Sequence, residues 1–346
     1  MNKMLSICIP TYNREIFLSE TIESILNQVN QLPPDYRDNI ELCISDNNSS
    51  DNTSKLVESY QKHSSINIIY HKNDINIGPD ANFLKVVSLS TAEFVWLLGS
   101  DDKVEQGGIK FIYEYIKSHT DVDILVLNTN NYAPDGRTLT KTGNNVRKKQ
   151  RDKTPDILLF NSPLEASLNI VYDAGLISIL CFRKSLWDKI TGHEEFIGSL
   201  YVHVYKILSI IKCGARVVRI YEPPIVAYRS FNESILSSKG KFNSIMTQLE
   251  TFYKIPMVIY GENSVEHLAL AKKDIRLNFP PILLSFWLVN FSLSERKLFL
   301  RKFFRYCKKF SFFYWTLPFL ILPLGCCGKF AFIYPVDRIS EHFHKF

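Results

Sequence analysis

The stretch Glu93-Phe94-Val95-Trp96-Leu97-Leu98-Gly99-Ser100-Asp101-Asp102 decides how this chain is read. A short apolar run rich in β-forming residues predicts a buried strand over Phe94–Leu98, and it stops at a glycine, a serine and two adjacent carboxylates. Carboxylates so close to a core need a partner. Two readings are open. Asp101 and Asp102 can hold Mn²⁺ or Mg²⁺, hard cations that bind through one or two carboxylates and take their other ligands from phosphate and water. Or they form a solvated turn in which one of them caps the next helix.

Outward from this stretch, residues 1–128 alternate strand and helix. Apolar strands are predicted at Leu5–Pro10, Ile40–Ser45, Ile66–Tyr70 and Asp123–Asn128. Between them helical spacing recurs in Ile22/Ile25/Leu26/Val29, in a helix capped by Asp51, in Asn82–Leu89 and in Ile109–Ile116. The alternation predicts right-handed βαβ units and an α/β fold with a mostly parallel, Rossmann-like sheet flanked by helices. Ligands of such sheets sit beyond the carboxyl ends of the strands.

Polar residues collect at those ends. The first strand is followed by Pro10-Thr11-Tyr12-Asn13-Arg14, the second by Asp46-Asn47-Asn48-Ser49-Ser50-Asp51, the third by a loop with Asn76, Gly78 and Pro79, the fourth by Ser100-Asp101-Asp102. Any one of these loops alone reads as a turn or a helix cap. Together on one rim they supply an aromatic ring, hydrogen-bonding side chains, a carboxylate and a paired acid, the parts of a nucleotide-diphosphate site.

In order and spacing, Pro10-Thr11-Tyr12-Asn13-Arg14, Ser45 to Thr53, the Asn76/Gly78/Asn82 loop and Gly99-Ser100-Asp101-Asp102 resemble the family 2 glycosyltransferases of the GT-A fold. Within that family, Gly78-Pro79-Asp80-Ala81-Asn82-Phe83-Leu84 is similar to the bacterial O-antigen transferases of the abequosyltransferase kind, which attach a deoxysugar to a lipid-carried oligosaccharide. The resemblance implies a nucleotide-sugar donor, a UDP-, CDP- or GDP-sugar. It puts Thr11 and Tyr12 beside the nucleobase, Asp46 on the base edge, and Asp101 on a metal bridging the two phosphates. Asp102 is then a second ligand or a contact to the donor sugar. Asn13, Arg14, Asn48, Asn76, Gly78, Asn82 and Ser100 complete the donor site. One departure stands out: the family usually carries a carboxylate where this chain has Gly99.

The general base of such an enzyme usually comes from a Glu-Asp pair near the start of the predicted Gly198–Cys213 helix. This chain has none there; it offers Glu194, Glu195 and His203, whose intrinsic pKa suits proton transfer. His203 can equally be a packed or capping residue. Further strands are predicted at Ile177–Phe182, Val217–Tyr221 and Ile225–Tyr228, and Thr129–Lys153, with its basic Arg147-Lys148-Lys149 cluster, reads as a flexible loop over the site or equally as an inert insertion. The expected organisation is a catalytic domain over 1–235, with a nucleotide-binding half at 1–128 and an acceptor half at 154–235, then a helical region over 236–346.

Composition separates the two ends of the chain. Of its 346 residues 46% are apolar and 22% charged, a globular balance. Residues 296–346 hold ten Lys/Arg and two Asp/Glu, so the net +6 lies wholly in the tail and the body is near neutral. A nucleic-acid partner is not expected from that body; a basic, aromatic end points to an anionic membrane surface. In Arg296–Lys309, Lys297, Arg301, Arg305 and Lys308 share one helical face and Phe299, Phe303, Tyr306 and Phe310 another. The 19 residues between Lys309 and Lys329 carry no charge but are interrupted by Pro318 and Pro323. A membrane-associating segment over about 296–335 is expected, in the plane or re-entrant, with a spanning helix or packing on the catalytic domain as the alternatives. Seven cysteines without C-x-x-C spacing, Cys8 and Cys43 among them inside predicted buried strands, and an N-terminus that enters a strand at Leu5 predict reduced thiols and no signal peptide. The expected location is the cytoplasmic face of the inner membrane, near a polyprenyl-linked saccharide acceptor.

Overall fold

The computed structural model describes residues 3–141, 156–230 and 241–273, together with 294, 295, 297–299 and 301. The chain divides into two compact units, Met1–Asn232 and Glu233–Phe346. In the first, chain order runs β1 (Leu5–Thr11), α1 (Glu15–Val29), α2 (Pro34–Arg37), β2 (Ile40–Asp46), α3 (Thr53–His63), β3 (Asn67–Lys72), α4 (Pro79–Leu89), β4 (Phe94–Leu97), β5 (Lys103–Val104), α5 (Gly108–Ser118) and β6 (Ile124–Val126). There follow β7 (Thr129–Tyr132), β8 (Leu139–Lys141), β9 (Ile157–Leu159), α6 (Pro163–Ile170), β10 (Leu180–Arg183), α7 (Lys184–Lys189), α8 (Val202–Lys212), β11 (Val217–Ile220) and β12 (Val226–Arg229).

The main sheet has eight strands in the order β3-β2-β1-β4-β10-β6-β11-β9. β1, β2, β3 and β4 are mutually parallel, and β6 and β11 share their direction; β10 and β9 run against it. Every residue of β1, β2 and β4 is buried, as continuous apolar runs in a covered parallel sheet require, whereas the edge strand β3 is partly exposed. The chain steps outward from β1 to β2 to β3 and then returns to β4. Right-handed crossovers therefore put α1 and α3 on one face and α4 on the other. α1 packs against α3 and α5, and α4 against α8. Trp96 is fully buried, its indole Nε1 donating to the Ser178 carbonyl at 2.8 Å. Each large apolar side chain buried in this way contributes about 1.5–3 kcal/mol, so the core, not the polar rim, fixes where β4 ends.

A second sheet, β5-β12-β7-β8, lies beside the end of β4. It corrects the expectation of a flexible loop over Thr129–Lys153: residues 129–132 and 139–141 are strands, and 142–155 lie outside the described residues. The polar character that read as a loop is used locally. Asn130 Nδ2 and Tyr132 OH both donate to Glu105 at 2.9 Å, and Asp135 accepts the amides of Arg137 and Thr138.

The second unit contains α9 (Lys241–Tyr260) and a further helical stretch to residue 273. Phe299 is fully buried. Among the described residues no helix is long and apolar enough to cross a membrane. The uncharged 310–328 run and the Arg147-Lys148-Lys149 cluster lie outside the described residues.

Candidate active site

Four loops meet beyond the carboxyl ends of β1, β2, β3 and β4, and the outer three are bound into one frame. Asn13, at a φ of 51°, donates its amide to Ser49 Oγ at 2.8 Å and accepts the Ser50 amide on Oδ1 at 2.8 Å. Asn tolerates this left-handed conformation better than other side chains, and Asn48 adopts it too, with φ 65°. Asn47 donates to Asn76 at 2.8 Å and accepts the Ile77 amide at 2.9 Å, tying the β2 loop to the β3 loop. Gly78 then turns the chain into α4 at a φ of 82°, where an L side chain is strained.

Several expected donor-site residues serve this frame. Asp46 has no exposed surface; its carboxylate accepts the Ser49 amide and the Tyr70 hydroxyl, each at 2.8 Å. A nucleobase can reach it only by displacing these partners. Asn82 is likewise enclosed, accepting from Ser45 Oγ and Asn73 Nδ2 and donating to the Ser45 carbonyl. Pro10 is a buried strand residue opposite Ser45. Thr11 and Tyr12 differ. The Tyr12 ring is 46% exposed at the rim, and the buried Thr11 Oγ1 has no hydrogen-bond partner.

The acid pair follows β4. No helix starts there; Asp102 leads directly into β5, so the capping reading of the pair is overturned. Asp102 is 2% exposed, and both its oxygens are held: Oδ1 accepts the Arg229 amide at 3.0 Å, and Oδ2 accepts from Ser178 Oγ. From α1, Thr21 Oγ1 reaches the carbonyls of Ser100 at 3.1 Å and Asp102 at 2.7 Å. Burial raises the Asp101 carboxyl above its usual range, opposed by the positive charges of Arg14 and Arg229. Burial, then the neighbouring Asp101 charge, pushes Asp102 up to about 8. Arg229 is itself buried, pairs with Glu20, and lies over the Phe17 ring at 4.9 Å. The Tyr228 phenol is raised by burial and then by the charges of Asp102 and Asp101, which marks it as a neighbour of the pair.

This donor set fits a divalent cation. Two desolvated carboxylates repel one another, and a bound cation removes both penalties at once. Among the described residues no cluster of three or more His, Cys, Asp or Glu could hold a metal; a hard cation held by one or two carboxylates takes its other ligands from phosphate and water.

A sign follows for pH. The metal-free fold binds a proton on Asp102 that an unfolded carboxyl, ordinarily at 3.8, releases. Its contribution to stability is therefore present below about 4 and is lost as pH rises through about 8. With chelator, thermal midpoints should fall across that window. Because the cation displaces the proton, Mn²⁺ affinity should rise over the same range, by up to about tenfold per pH unit. A Mn²⁺ affinity flat from pH 5 to 8 would contradict the arrangement.

The second half corrects the expected base. His203 is 1% exposed on α8, edge-on to Phe83 with ring centroids 5.4 Å apart, and burial lowers its pKa to about 4. Enclosed there, it cannot receive a proton from an acceptor hydroxyl. His203→Ala should act as a core truncation, costing about 2–4 kcal/mol in chemical denaturation. A general-base loss of about 10²–10⁴ in kcat in a fully stable protein would reverse this reading. Glu194 and Glu195 are exposed on the short 3-10 turn Glu194–Phe196.

Sequence reasoning missed three residues. Asp80, on the first turn of α4, accepts the amides of Gly198 (2.7 Å), Leu200 (2.7 Å) and Val202 (3.1 Å). Ser178 and Arg229 hold Asp102. None carries a motif of its own; each is read only once the topology has brought distant segments together.

Comparison with known proteins agrees with this geometry. Residues 6–172 match the model of glycosyl transferase family 2. Over 266 residues the chain is 30% identical to abequosyltransferase RfbV of Salmonella typhimurium, covering 75% of this chain and 76% of that one. It is 25% identical over 306 residues to the GalNAc(5)-diNAcBac-PP-undecaprenol beta-1,3-glucosyltransferase of Campylobacter jejuni, covering 81% and 91%. In fold it matches S. aureus TarS 1-349, solved with UDP-GlcNAc, at a TM-score of 0.63 and 17% identity, over 88% of this chain and 81% of that one. It also matches the mannosyltransferase PcManGT of Pyrobaculum calidifontis, solved with GDP-Man and Mn²⁺, at a TM-score of 0.51 and 13% identity, over 94% and 86%. The architecture is thus that of the GT-A class. The chain belongs to glycosyl transferase family 2.

Proposed function

We propose that this enzyme moves a sugar, a deoxyhexose by analogy with RfbV, from a nucleotide-sugar donor to a saccharide carried on a polyprenyl diphosphate during surface-glycan synthesis. The observation that carries the reading is the Asp101/Asp102 pair after β4, Asp102 buried and Asp101 half-buried, with the positive charge of Arg14 acting on Asp101 and the open Tyr12 ring on the same rim of loops. The nucleobase stacks on the open Tyr12 ring. The β2 and β3 loops, pinned by Asp46 and Asn47, shape the wall around it, and the cationic Arg14 stands beside the leaving diphosphate. Asp101, with Asp102 beside it, would hold a Mn²⁺ or Mg²⁺ ion, which would supply Lewis-acid stabilisation of that diphosphate when bound. With His203 in the core, Glu194 and Glu195 are the carboxylates offered for proton transfer from the acceptor. The test is a panel of UDP-, CDP- and GDP-sugars with Mn²⁺ and a polyprenyl-linked acceptor, followed by product analysis. Donor binding without transfer or hydrolysis across the panel would favour the alternative, a non-catalytic nucleotide-sugar-binding protein, for which Gly99 and the missing Glu-Asp pair speak.

The tail would keep the enzyme at the cytoplasmic face of the inner membrane. Near an anionic leaflet each Lys or Arg contributes about 1 kcal/mol, and the uncharged run adds a part insensitive to salt. Because Phe299 is buried, the informative truncation ends at Arg301, not before the helix. Full-length protein should pellet with anionic liposomes and the truncated chain should not; equal pelleting would place the binding surface elsewhere.

A further inference from the structure

We propose that Ser178 is a positioning residue for the metal-binding carboxylates, doing from β10's side of the sheet what a side chain at position 99 cannot do here. The inference rests on the metal reading of Asp101 and Asp102. Ser178 sits on the 3-10 turn Ile177–Ile179 that leads into β10, and it has no exposed surface. Its hydroxyl accepts the Gly99 amide at 2.9 Å and donates to Asp102 Oδ2. A hydroxyl has one proton. With the Gly99 N–H occupying a lone pair, that proton is committed to Asp102, and the Trp96 indole on the Ser178 carbonyl fixes the turn behind it.

Gly99 completes the arrangement. A Cβ at this position would lie 3.1 Å from Asp101 Oδ1, 3.1 Å from Asp102 Oδ2 and 3.2 Å from Ser178 Oγ. A methyl group here would be tight against all three oxygens, which would each have to give by a few tenths of an ångström. A carboxylate here would also add a third negative charge to a desolvated pair. The chain therefore has glycine where the acids converge and brings a neutral donor from a segment 79 residues away. Since the Arg229 amide holds the other oxygen, the plane of the Asp102 carboxylate is set, and its free lone pairs keep one direction relative to Asp101. Outer partners of this kind tune affinity by orienting a ligand rather than by touching the ion.

The test uses the full-length protein and Mn²⁺, with whichever of UDP, CDP or GDP gives the largest thermal shift, and follows free Mn²⁺ by electron paramagnetic resonance. Ser178→Ala should weaken Mn²⁺ about 10–100-fold, the usual size of an outer-partner loss, while nucleotide binding in chelator is unchanged. Asp101→Ala separates the two layers of the argument. If it binds Mn²⁺ like the unaltered protein, the metal reading itself fails. If it loses Mn²⁺ while folded Ser178→Ala keeps full affinity, the metal reading stands and the proposal is overturned. Should Ser178→Ala not fold, Gly99→Ala decides, because its Cβ disturbs the same three oxygens from the other side. Undiminished Mn²⁺ affinity in Gly99→Ala would then overturn the assignment.

Discussion

Replacing Asp101 with alanine is expected to abolish sugar transfer and nearly all Mn²⁺-dependent nucleotide binding. Asp102 cannot take over. One lone pair of each of its oxygens already accepts a protein donor, a single carboxylate holds a divalent ion poorly, and without a cation burial favours its protonated form. A site limited to two carboxylates leaves the nucleotide diphosphate to supply the remaining ligands, so loss of the accessible carboxylate removes the metal and the diphosphate anchor together. Expressed as a rate, a loss of about 10³-fold or more is expected, since a Lewis acid on the leaving group supplies several kcal/mol and each 1.36 kcal/mol is tenfold. Calorimetry of UDP, CDP and GDP with and without Mn²⁺ checks the binding half. Turnover that keeps its metal dependence in Asp101→Ala would remove the central assignment.

The largest stability effect is expected at Asp80. Its carboxylate is 1% exposed and gathers three backbone amides from the Gly198–Val202 turn. That turn holds Gly198 at φ 92° and Leu200 at φ 74°, the latter a conformation a leucine takes only when its surroundings impose it. Removing the carboxylate leaves buried N–H groups without acceptors, at about 1–3 kcal/mol each, and frees the turn to relax. Asp80→Ala should therefore destabilise by about 3–5 kcal/mol in urea denaturation, and Asp80→Asn by less, because one oxygen acceptor remains. A loss under about 1 kcal/mol would mean that water replaces the carboxylate.

The parts of this molecule that were legible in the sequence are those whose signal is local. The strands over Leu5–Thr11, Ile40–Asp46 and Phe94–Leu97 are buried throughout and read as mostly apolar runs, interrupted inside the first two only by Ser6, Glu41 and Ser45. The rim loops were legible because a parallel sheet puts every strand end on one side. Direction was not. Leu180–Arg183 is as apolar as its neighbours, and nothing in it tells that it enters antiparallel between β4 and β6. His203 stayed open between a base and a packed residue for a related reason. Every residue of α8 except Lys212 is buried, so the helix has no wet face against which a functional side chain could be told from a packed one. Thr129–Tyr132 failed in the opposite way, as a polar strand whose ladder lies in a small second sheet.

The antiparallel insertion of β10 also bears on how the enzyme comes into being. The loop carrying the acid pair is set by groups 76 and 127 residues further along the chain, Ser178 and the Arg229 amide, and the central strand pairing waits for the same segment. Contacts of such separation form late, since loop-closure entropy must be met before they yield anything. On the ribosome, the nucleotide-binding loops can fold while the acid loop has no fixed shape, so a nascent chain acquires metal affinity only after β12 has emerged. A fragment ending before β10 should keep most of the parallel strands and still be blind to Mn²⁺.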